Sequence, residues 1–155
     1  KVADTEGILK GRETGRIGQY LTDVPVQELM GNDKVVPIPH LGASTEEAEE
    51  NCAIMVADQL IDFLENGNIR NSVNFPNIAL ERNGGFRIAF SNRNVPKMLN
   101  QVLSVLADRE LNVIDMINKS RDEVAYNIID IDSEPTEELV QALEAIDGVI
   151  KVRIL

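Results

Sequence analysis

The chain contains a single histidine, His40, in a setting where an imidazole could transfer protons. It follows Pro39 at the end of an apolar run and precedes Ser44-Thr45, a typical helix start. In open α/β sheets, ligands bind beyond the carboxyl ends of strands and close to helix N-termini. An imidazole gains or loses a proton near neutral pH, so His40 is a candidate general acid or base. A structural or merely exposed histidine is the alternative interpretation.

Two further side chains bear on this chemistry. Glu28 could orient His40 and keep it protonated, although a surface glutamate is the simpler interpretation. The only cysteine, Cys52, falls on the apolar stripe of a predicted helix, which favours packing in a core over reactivity. One cysteine and one histidine cannot build a disulfide core or a cysteine–histidine zinc cage, so we expect no metal.

The elements that must position His40 are short until a long helix begins. Asp4-Thr5-Glu6 predicts the start of a helix that runs to about Thr14. Residues 17–22 and 34–39 are apolar runs typical of buried parallel strands. Thr45 and the acidic residues after it predict a helix that ends near Asn66-Gly67. Residues 68–82 lack helical periodicity and are interpreted as an extended linker.

The remaining residues, 83–155, alternate regularly between strand and helix patterns. The predicted strands cover 86–90, 112–118, 124–132 and 149–155. One helix is predicted to begin at Pro96, and a second begins at Pro135-Thr136 and ends at Gly148. The resulting order, β-α-β-β-α-β, is that of a ferredoxin-like fold.

Composition excludes several classes of function. The chain has 155 residues with 26 Asp and Glu against 15 Lys and Arg, a formal charge of −11. That charge argues against binding to nucleic acid or to an anionic membrane surface. No apolar run approaches the roughly 20 residues that span a bilayer. A single free cysteine suits a reducing compartment, so we expect a cytoplasmic protein. The chain does not begin with Met, and we expect it to be part of a longer one.

Several segments resemble the C-terminal part of the D-3-phosphoglycerate dehydrogenases, which belong to the D-isomer-specific 2-hydroxyacid dehydrogenases. The segments are Pro39-His40-Leu41-Gly42-Ala43-Ser44-Thr45-Glu46-Glu47, Asn66-Gly67-Asn68-Ile69 and Ser72-Val73-Asn74-Phe75-Pro76. The resemblance implies an α/β part followed by an α+β part. Its expected organisation is a C-terminal remnant of a Rossmann-like nucleotide-binding domain in 1–44, a crossover helix in 45–67, a linker in 68–82 and a ferredoxin-like βαββαβ ACT regulatory domain in 83–155.

The same resemblance implies an NAD-dependent oxidation of 3-phosphoglycerate to 3-phosphohydroxypyruvate in serine biosynthesis. His40 occupies the position of the family's catalytic histidine, which takes the proton of the substrate hydroxyl. Glu28, five residues after Asp23, matches the glutamate that holds this histidine. No G-x-G-x-x-G motif occurs in the chain, and the family's substrate-binding arginine aligns before its first residue. We therefore expect these residues alone to bind NAD poorly and to be inactive.

In ACT domains of this family, L-serine binds between two paired copies, and the matching positions here are Asn92, Asn94 and Asn112. An asparagine amide both donates and accepts hydrogen bonds, which suits an amino acid. The alternative is that Asn92 and Asn94 are turn formers and Asn112 caps a strand. Lys97 stands where the family usually has glycine, and some members have histidine at position 92, so serine control could be altered. We expect a homo-oligomer, and a stand-alone amino-acid-binding and dimerising module is the alternative function.

Overall fold

The computed structural model describes residues 3–155, and these divide after Ala53 into two compact units. The first unit contains helix α1 (Thr5–Glu13), strand β1 (Tyr20–Thr22), a 3-10 turn (Gln27–Leu29) and strand β2 (Val35–Pro37). The two short strands pair in parallel, as their apolar patterns predict, but only Thr22 and Val35 in them are buried, so the predicted burial of both strands is wrong. Two parallel strands and one helix are too few to define a Rossmann-like domain, so that part of the expected fold remains a proposal.

Helix α1 begins where the sequence predicts. The Asp4 carboxylate accepts a hydrogen bond of 3.1 Å from the backbone N–H of Gly7 and so caps the helix. Gly15 follows the helix with a φ of 70°, the left-handed conformation that glycine adopts without strain. A small core of Ile8, Leu29 and Val35 holds the first unit together.

Helix α2 (Glu46–Asn66) begins as predicted but buries none of its side chains fully. The Thr45 hydroxyl accepts a hydrogen bond of 3.2 Å from the Ala48 N–H. The predicted burial of Cys52 is wrong, because this side chain is exposed. The apolar stripe of a helix is buried only where another element covers it. Among the described residues of α2, only Phe63 packs against a buried cluster. Six apolar residues remain 52–60% exposed: Ile54, Met55, Val56, Leu60, Ile61 and Leu64.

The second unit is built around a four-stranded antiparallel sheet. Its elements are β3 (Phe86–Arg93), α3 (Met98–Ala107), β4 (Val113–Arg121), β5 (Val124–Ile131), α4 (Glu137–Glu144) and β6 (Val149–Ile154). The strands lie in the order β4-β5-β3-β6, so β4 and β6 form its two edges. The ferredoxin-like βαββαβ order predicted from the sequence is confirmed.

One face of this sheet packs against α3 and α4. The apolar core there consists of Ile88, Phe90, Val102, Leu106, Ile129, Ile131, Leu139, Leu143 and Val152. The Thr136 hydroxyl caps α4 by accepting from the Leu139 N–H at 3.2 Å. The predicted start of α3 at Pro96 is wrong by two residues. Lys97 has a φ of 74°, and a left-handed residue cannot belong to a right-handed helix, so α3 begins at Met98.

The opposite face is covered by the segment predicted to be a linker. Ile69 and Ile78 exchange two backbone hydrogen bonds, of 2.8 and 3.0 Å, and both pack on the sheet with Tyr126 and Ile128. The stretch is rich in asparagine and has no helical periodicity, and these features predict a linker. Instead, Ile69 and Ile78 belong to a second buried cluster, on the sheet face opposite α3 and α4.

Candidate functional site

The two parallel strands of the first unit bring His40 close to a carboxylate. Asp23 directly follows β1, and His40 comes three residues after β2 ends at Pro37. Because β1 and β2 run in the same direction, the residues after them meet at one edge. His40 Nδ1 lies 2.9 Å from Asp23 Oδ2, and both side chains are substantially exposed, at 68% and 48%. An imidazole held by a carboxylate through Nδ1 leaves Nε2 free to exchange a proton with a ligand.

Glu28 does not form the predicted ion pair with His40 in this structure. It lies in the 3-10 turn at Gln27–Leu29 and is exposed. Across residues 3–155, the one ion pair made by His40 is with Asp23. The role of Glu28 therefore stays a prediction. Asp23 was missed as a partner although a signal was present, since it follows one predicted parallel strand and His40 follows the other.

The described part of the first unit lacks the phosphate-binding turn of a dinucleotide site. Phosphates of NAD need a glycine-rich turn that leads from a strand into a helix N-terminus. Here β1 leads through Asp23 and Val24 into the short 3-10 turn, and no glycine-rich turn follows either strand. No group of histidine, cysteine or carboxylate side chains within residues 3–155 is arranged to hold a metal ion. In that same range no helix is long and apolar enough to cross a bilayer.

The three asparagines expected to bind an effector occupy different environments. Asn92 is 3% exposed, and its amide is already engaged. Its Nδ2 donates to the Arg93 carbonyl at 2.6 Å, and its Oδ1 accepts from Asn127 Nδ2 at 2.7 Å. Asn92 therefore acts within the fold in this conformation, and a direct contact with an effector stays a prediction.

Asn94 and Asn112 are exposed and lie at opposite ends of the sheet. Asn94 sits at the hairpin between β4 and β5, where its Nδ2 donates to the Asp122 carbonyl at 3.0 Å. Asn112 precedes β4, and its N–H donates to Asp132 Oδ1 at 3.3 Å beyond the far end of β5. The intervening strand β3 has 8 residues. At about 3.3 Å per residue, more than 20 Å separates the two positions within one copy.

Residues 86–148 match the ACT domain family. They form an ACT domain. The chain is also similar to the D-3-phosphoglycerate dehydrogenase of Escherichia coli K12, with 35% identity over 125 residues, which cover 79% of this chain and 30% of the relative. The enzyme of the same name from Dictyostelium discoideum is 34% identical over 167 residues, which cover 100% of this chain and 40% of the relative. The resemblance indicated by the motifs around His40 is thus confirmed.

The chain spans between 30% and 40% of the length of these relatives. Among solved structures, the ACT domain from GTP pyrophosphokinase of Chlorobium tepidum is 20% identical, with a TM-score of 0.41, and the match covers 45% of this chain and 95% of that one.

The ACT domain contains two residues that sequence reasoning did not single out, Asn127 and Asn118, whose side chains form a hydrogen-bonded chain with Asn92. Asn127 is fully buried, and its Oδ1 accepts from Asn118 Nδ2 at 2.5 Å while its Nδ2 donates to Asn92. A chain of side-chain amides therefore runs from β4 through β5 to the end of β3. The available signal was the asparagine at 127 inside an otherwise apolar strand. Buried amides persist only when hydrogen-bonded, which implies cross-strand partners.

Proposed function

We propose that this chain is the C-terminal part of an NAD-dependent D-3-phosphoglycerate dehydrogenase of cytoplasmic serine biosynthesis, and that it contains both the proton-transferring histidine and the regulatory domain. In this proposal, the ACT domain pairs with a second copy and binds L-serine between the two. The similarity to D-3-phosphoglycerate dehydrogenases and the ACT domain in residues 86–148 support it. Residues 1–44, 45–67 and 83–155 would be the remnant of the nucleotide domain, the crossover helix and the regulatory domain. Residues 68–82 would connect the helix to the sheet while covering the sheet face opposite α3 and α4.

The observation that carries the proposal is the distance between Asn94 and Asn112. Both side chains are exposed and carry amide groups suited to an amino acid, yet they lie at opposite ends of one sheet. A site that uses both positions must therefore combine Asn94 of one copy with Asn112 of another. The separation of Asn94 and Asn112 within one copy favours a binding site formed by two copies of the chain.

Strand β4 provides an edge on which such pairing can occur. It hydrogen-bonds to β5 on one side and to no other strand within residues 3–155. Two β4 edges that pair about a two-fold axis perpendicular to the sheet run antiparallel, so the start of one strand lies beside the end of the other. This arrangement brings Asn112 of one copy towards the partner hairpin, where Asn94 is bonded to Asp122.

For the catalytic part, we propose that His40 takes the proton of the substrate hydroxyl, with Asp23 or Glu28 holding the imidazole. The observed contact with Asp23 supports a carboxylate partner. Residues 3–53 contain no glycine-rich turn for the phosphates of NAD, so the role of His40 is tested in a protein as long as the relatives. In such a protein, His40→Ala should abolish most of the turnover, and an unchanged kcat would refute this role.

Mixing two defective variants tests the shared site. Asn94→Ala and Asn112→Ala should each abolish the binding heat with L-serine in calorimetry of the 155-residue chain. After the two variants are unfolded and refolded together, half of the dimers are mixed, and one of the two sites in each mixed dimer has both asparagines. About a quarter of the wild-type binding capacity should therefore return.

The control is each variant refolded alone, which should not recover binding. A site within a single copy would also give no recovery on mixing, and that result would contradict the shared site. Absence of heat from the unmutated chain at millimolar L-serine would contradict serine as the effector. Both variants should remain folded, because both side chains are exposed.

A further inference from the structure

A cavity of about 380 Å³ lies within the second unit, between the C-terminal half of α2 and the sheet face opposite α3 and α4. Small-molecule sites commonly occupy about 300–1,000 Å³. Its floor includes one row of residues across three strands, since Ser91 on β3 pairs with Lys151 on β6 and with Tyr126 on β5. Apolar side chains form the walls: Val56, Leu60 and Phe63 from α2, and Ile69 and Phe75 from the segment over the sheet.

Ser91 places an unused hydroxyl in this apolar floor. The residue is only 8% exposed and lines the cavity. Its hydroxyl makes no hydrogen bond to another part of the chain between residues 3 and 155 and is not among the fully buried unpaired groups, so it remains open to an occupant of the cavity. Asn92, the next residue on β3, is hydrogen-bonded to Asn127 beside the α3 and α4 core. Ser91 thus faces a space separate from the proposed serine site.

The charge at the rim of the cavity is positive and incompletely balanced. Lys151 pairs with Glu144 at 3.0 Å, and Arg70 pairs with Asp62 at 3.6 Å. Arg153 has no carboxylate within ion-pair distance in the described range. Its guanidinium lies 4.4 Å from the centre of the Phe63 ring and donates to the Phe63 and Leu64 carbonyls at 3.4 and 3.2 Å.

We propose that this cavity binds a small apolar carboxylate, of the class of aryl-alkyl and medium-chain acids. The apolar tail lies against Leu60 and Phe63, and the carboxylate faces Arg153 and accepts from the Ser91 hydroxyl. An anion beside an unneutralised guanidinium in a partly desolvated cavity gains charge-assisted hydrogen bonds. Because the site joins α2 to the sheet, an occupant would stabilise the contact between the two.

Titration of the 155-residue chain with 4-phenylbutyrate, followed by ¹H–¹⁵N NMR, tests the proposal. We expect saturable shifts at the amides of Ser91 and Phe63 and a Kd of about 1 mM or tighter, the range for a ligand of this size. Leu60→Glu should weaken binding at least tenfold, because it places a carboxylate in the wall of the cavity. Leu60 is already 53% exposed, so this variant should stay folded.

Ile61→Glu is the matched control, since Ile61 lies on the same helix, is 52% exposed, does not line the cavity and does not contact Arg153. It should bind like the unmutated chain. Ser91→Ala should weaken binding several-fold, and 4-phenylbutanol, which lacks the charge, should bind more weakly than the acid. The absence of saturable shifts, or equal losses in the two glutamate variants, would overturn the site. Equal affinity for alcohol and acid would overturn the assignment of a carboxylate.

Discussion

Lys97 is the residue at which the ACT domain of this chain departs most clearly from unstrained backbone geometry. Its φ of 74° is costly for a side chain with a Cβ, and the resembled family usually has glycine there. We predict that Lys97→Gly raises the free energy of unfolding by about 1 kcal/mol, measured by urea denaturation. Gln101→Gly, in the regular part of α3, is the control and should lower stability by a similar amount. A loss of stability in Lys97→Gly would contradict the strain.

Tyr126 is a second residue whose local environment reduces the stability of the fold. Its side chain is only 5% exposed, and its hydroxyl is buried without a hydrogen-bond partner. Removing an unpaired buried hydroxyl removes its desolvation penalty, so we predict that Tyr126→Phe leaves stability unchanged or raises it by about 1 kcal/mol. A loss of more than about 1 kcal/mol would show that the hydroxyl has a partner in solution.

Tyr126 also gives stability a dependence on alkaline pH. Burial raises the pKa of the Tyr126 phenol above its ordinary value, and the charges of Arg153 and Arg87 oppose that shift. Above about pH 10 the unfolded chain therefore releases a proton that the folded chain retains, and stability falls as pH rises. Chemical denaturation at several alkaline pH values should show a shallower decline in Tyr126→Phe than in the unmutated chain.

Among the elements, Arg87 joins the sheet to the chain that precedes it. It is 0% exposed and donates to both oxygens of Asp130, at 2.6 and 2.7 Å. It also donates to the carbonyls of Asn66, Leu80 and Glu81, at 3.0, 2.8 and 3.1 Å. These bonds fix the end of α2 and the segment after it to β3.

Removing Arg87 should therefore be severe. We predict that Arg87→Ala lowers the free energy of unfolding by about 3–5 kcal/mol, because it leaves a buried carboxylate and three carbonyls without donors. Calorimetric or urea unfolding measures the loss. Lys151→Ala, which breaks an ion pair exposed by 69% and 40%, should cost less than about 1 kcal/mol. Equal losses in the two variants would contradict the role of Arg87.

The elements differ in how far the sequence predicts them. Periodicity was sufficient for α2 and for the order of strands and helices after Phe86, because these patterns are local. It failed for the segment between Ile69 and Ile78, whose burial depends on a sheet that follows it in the chain. It also failed for Cys52, since a helical stripe shows which residues share a face and not whether anything covers that face.

For the molecule as a whole, the motifs predicted the similarity to D-3-phosphoglycerate dehydrogenases but not the side-chain contacts at the sites. His40 was identified from the residues around it, whereas its contact with Asp23 depends on the parallel pairing of two three-residue strands. Asn92 was identified by position, whereas its burial depends on Asn127 in another strand. Contacts between side chains on different strands depend on how those strands pair, and local sequence patterns do not predict that pairing.

Pairing of two copies is the property on which the proposed serine site depends, and the two edges of the sheet distinguish how it occurs. Ile114 on β4 and Ile150 on β6 are 43% and 57% exposed, so lysine at either position should be compatible with folding. A lysine on an edge strand opposes addition of another strand. We predict that Ile114→Lys gives a monomer by light scattering and abolishes the L-serine heat.

Ile150→Lys is the matched control on the opposite edge and should leave both the dimer and its L-serine binding intact. This contrast follows from the positions of Asn94 and Asn112, because only β4 lies between them along an exposed edge. If Ile150→Lys dissociated the dimer while Ile114→Lys did not, the copies would pair through β6. Asn112 of one copy would then lie far from Asn94 of the other, and these two asparagines could not bind one ligand together.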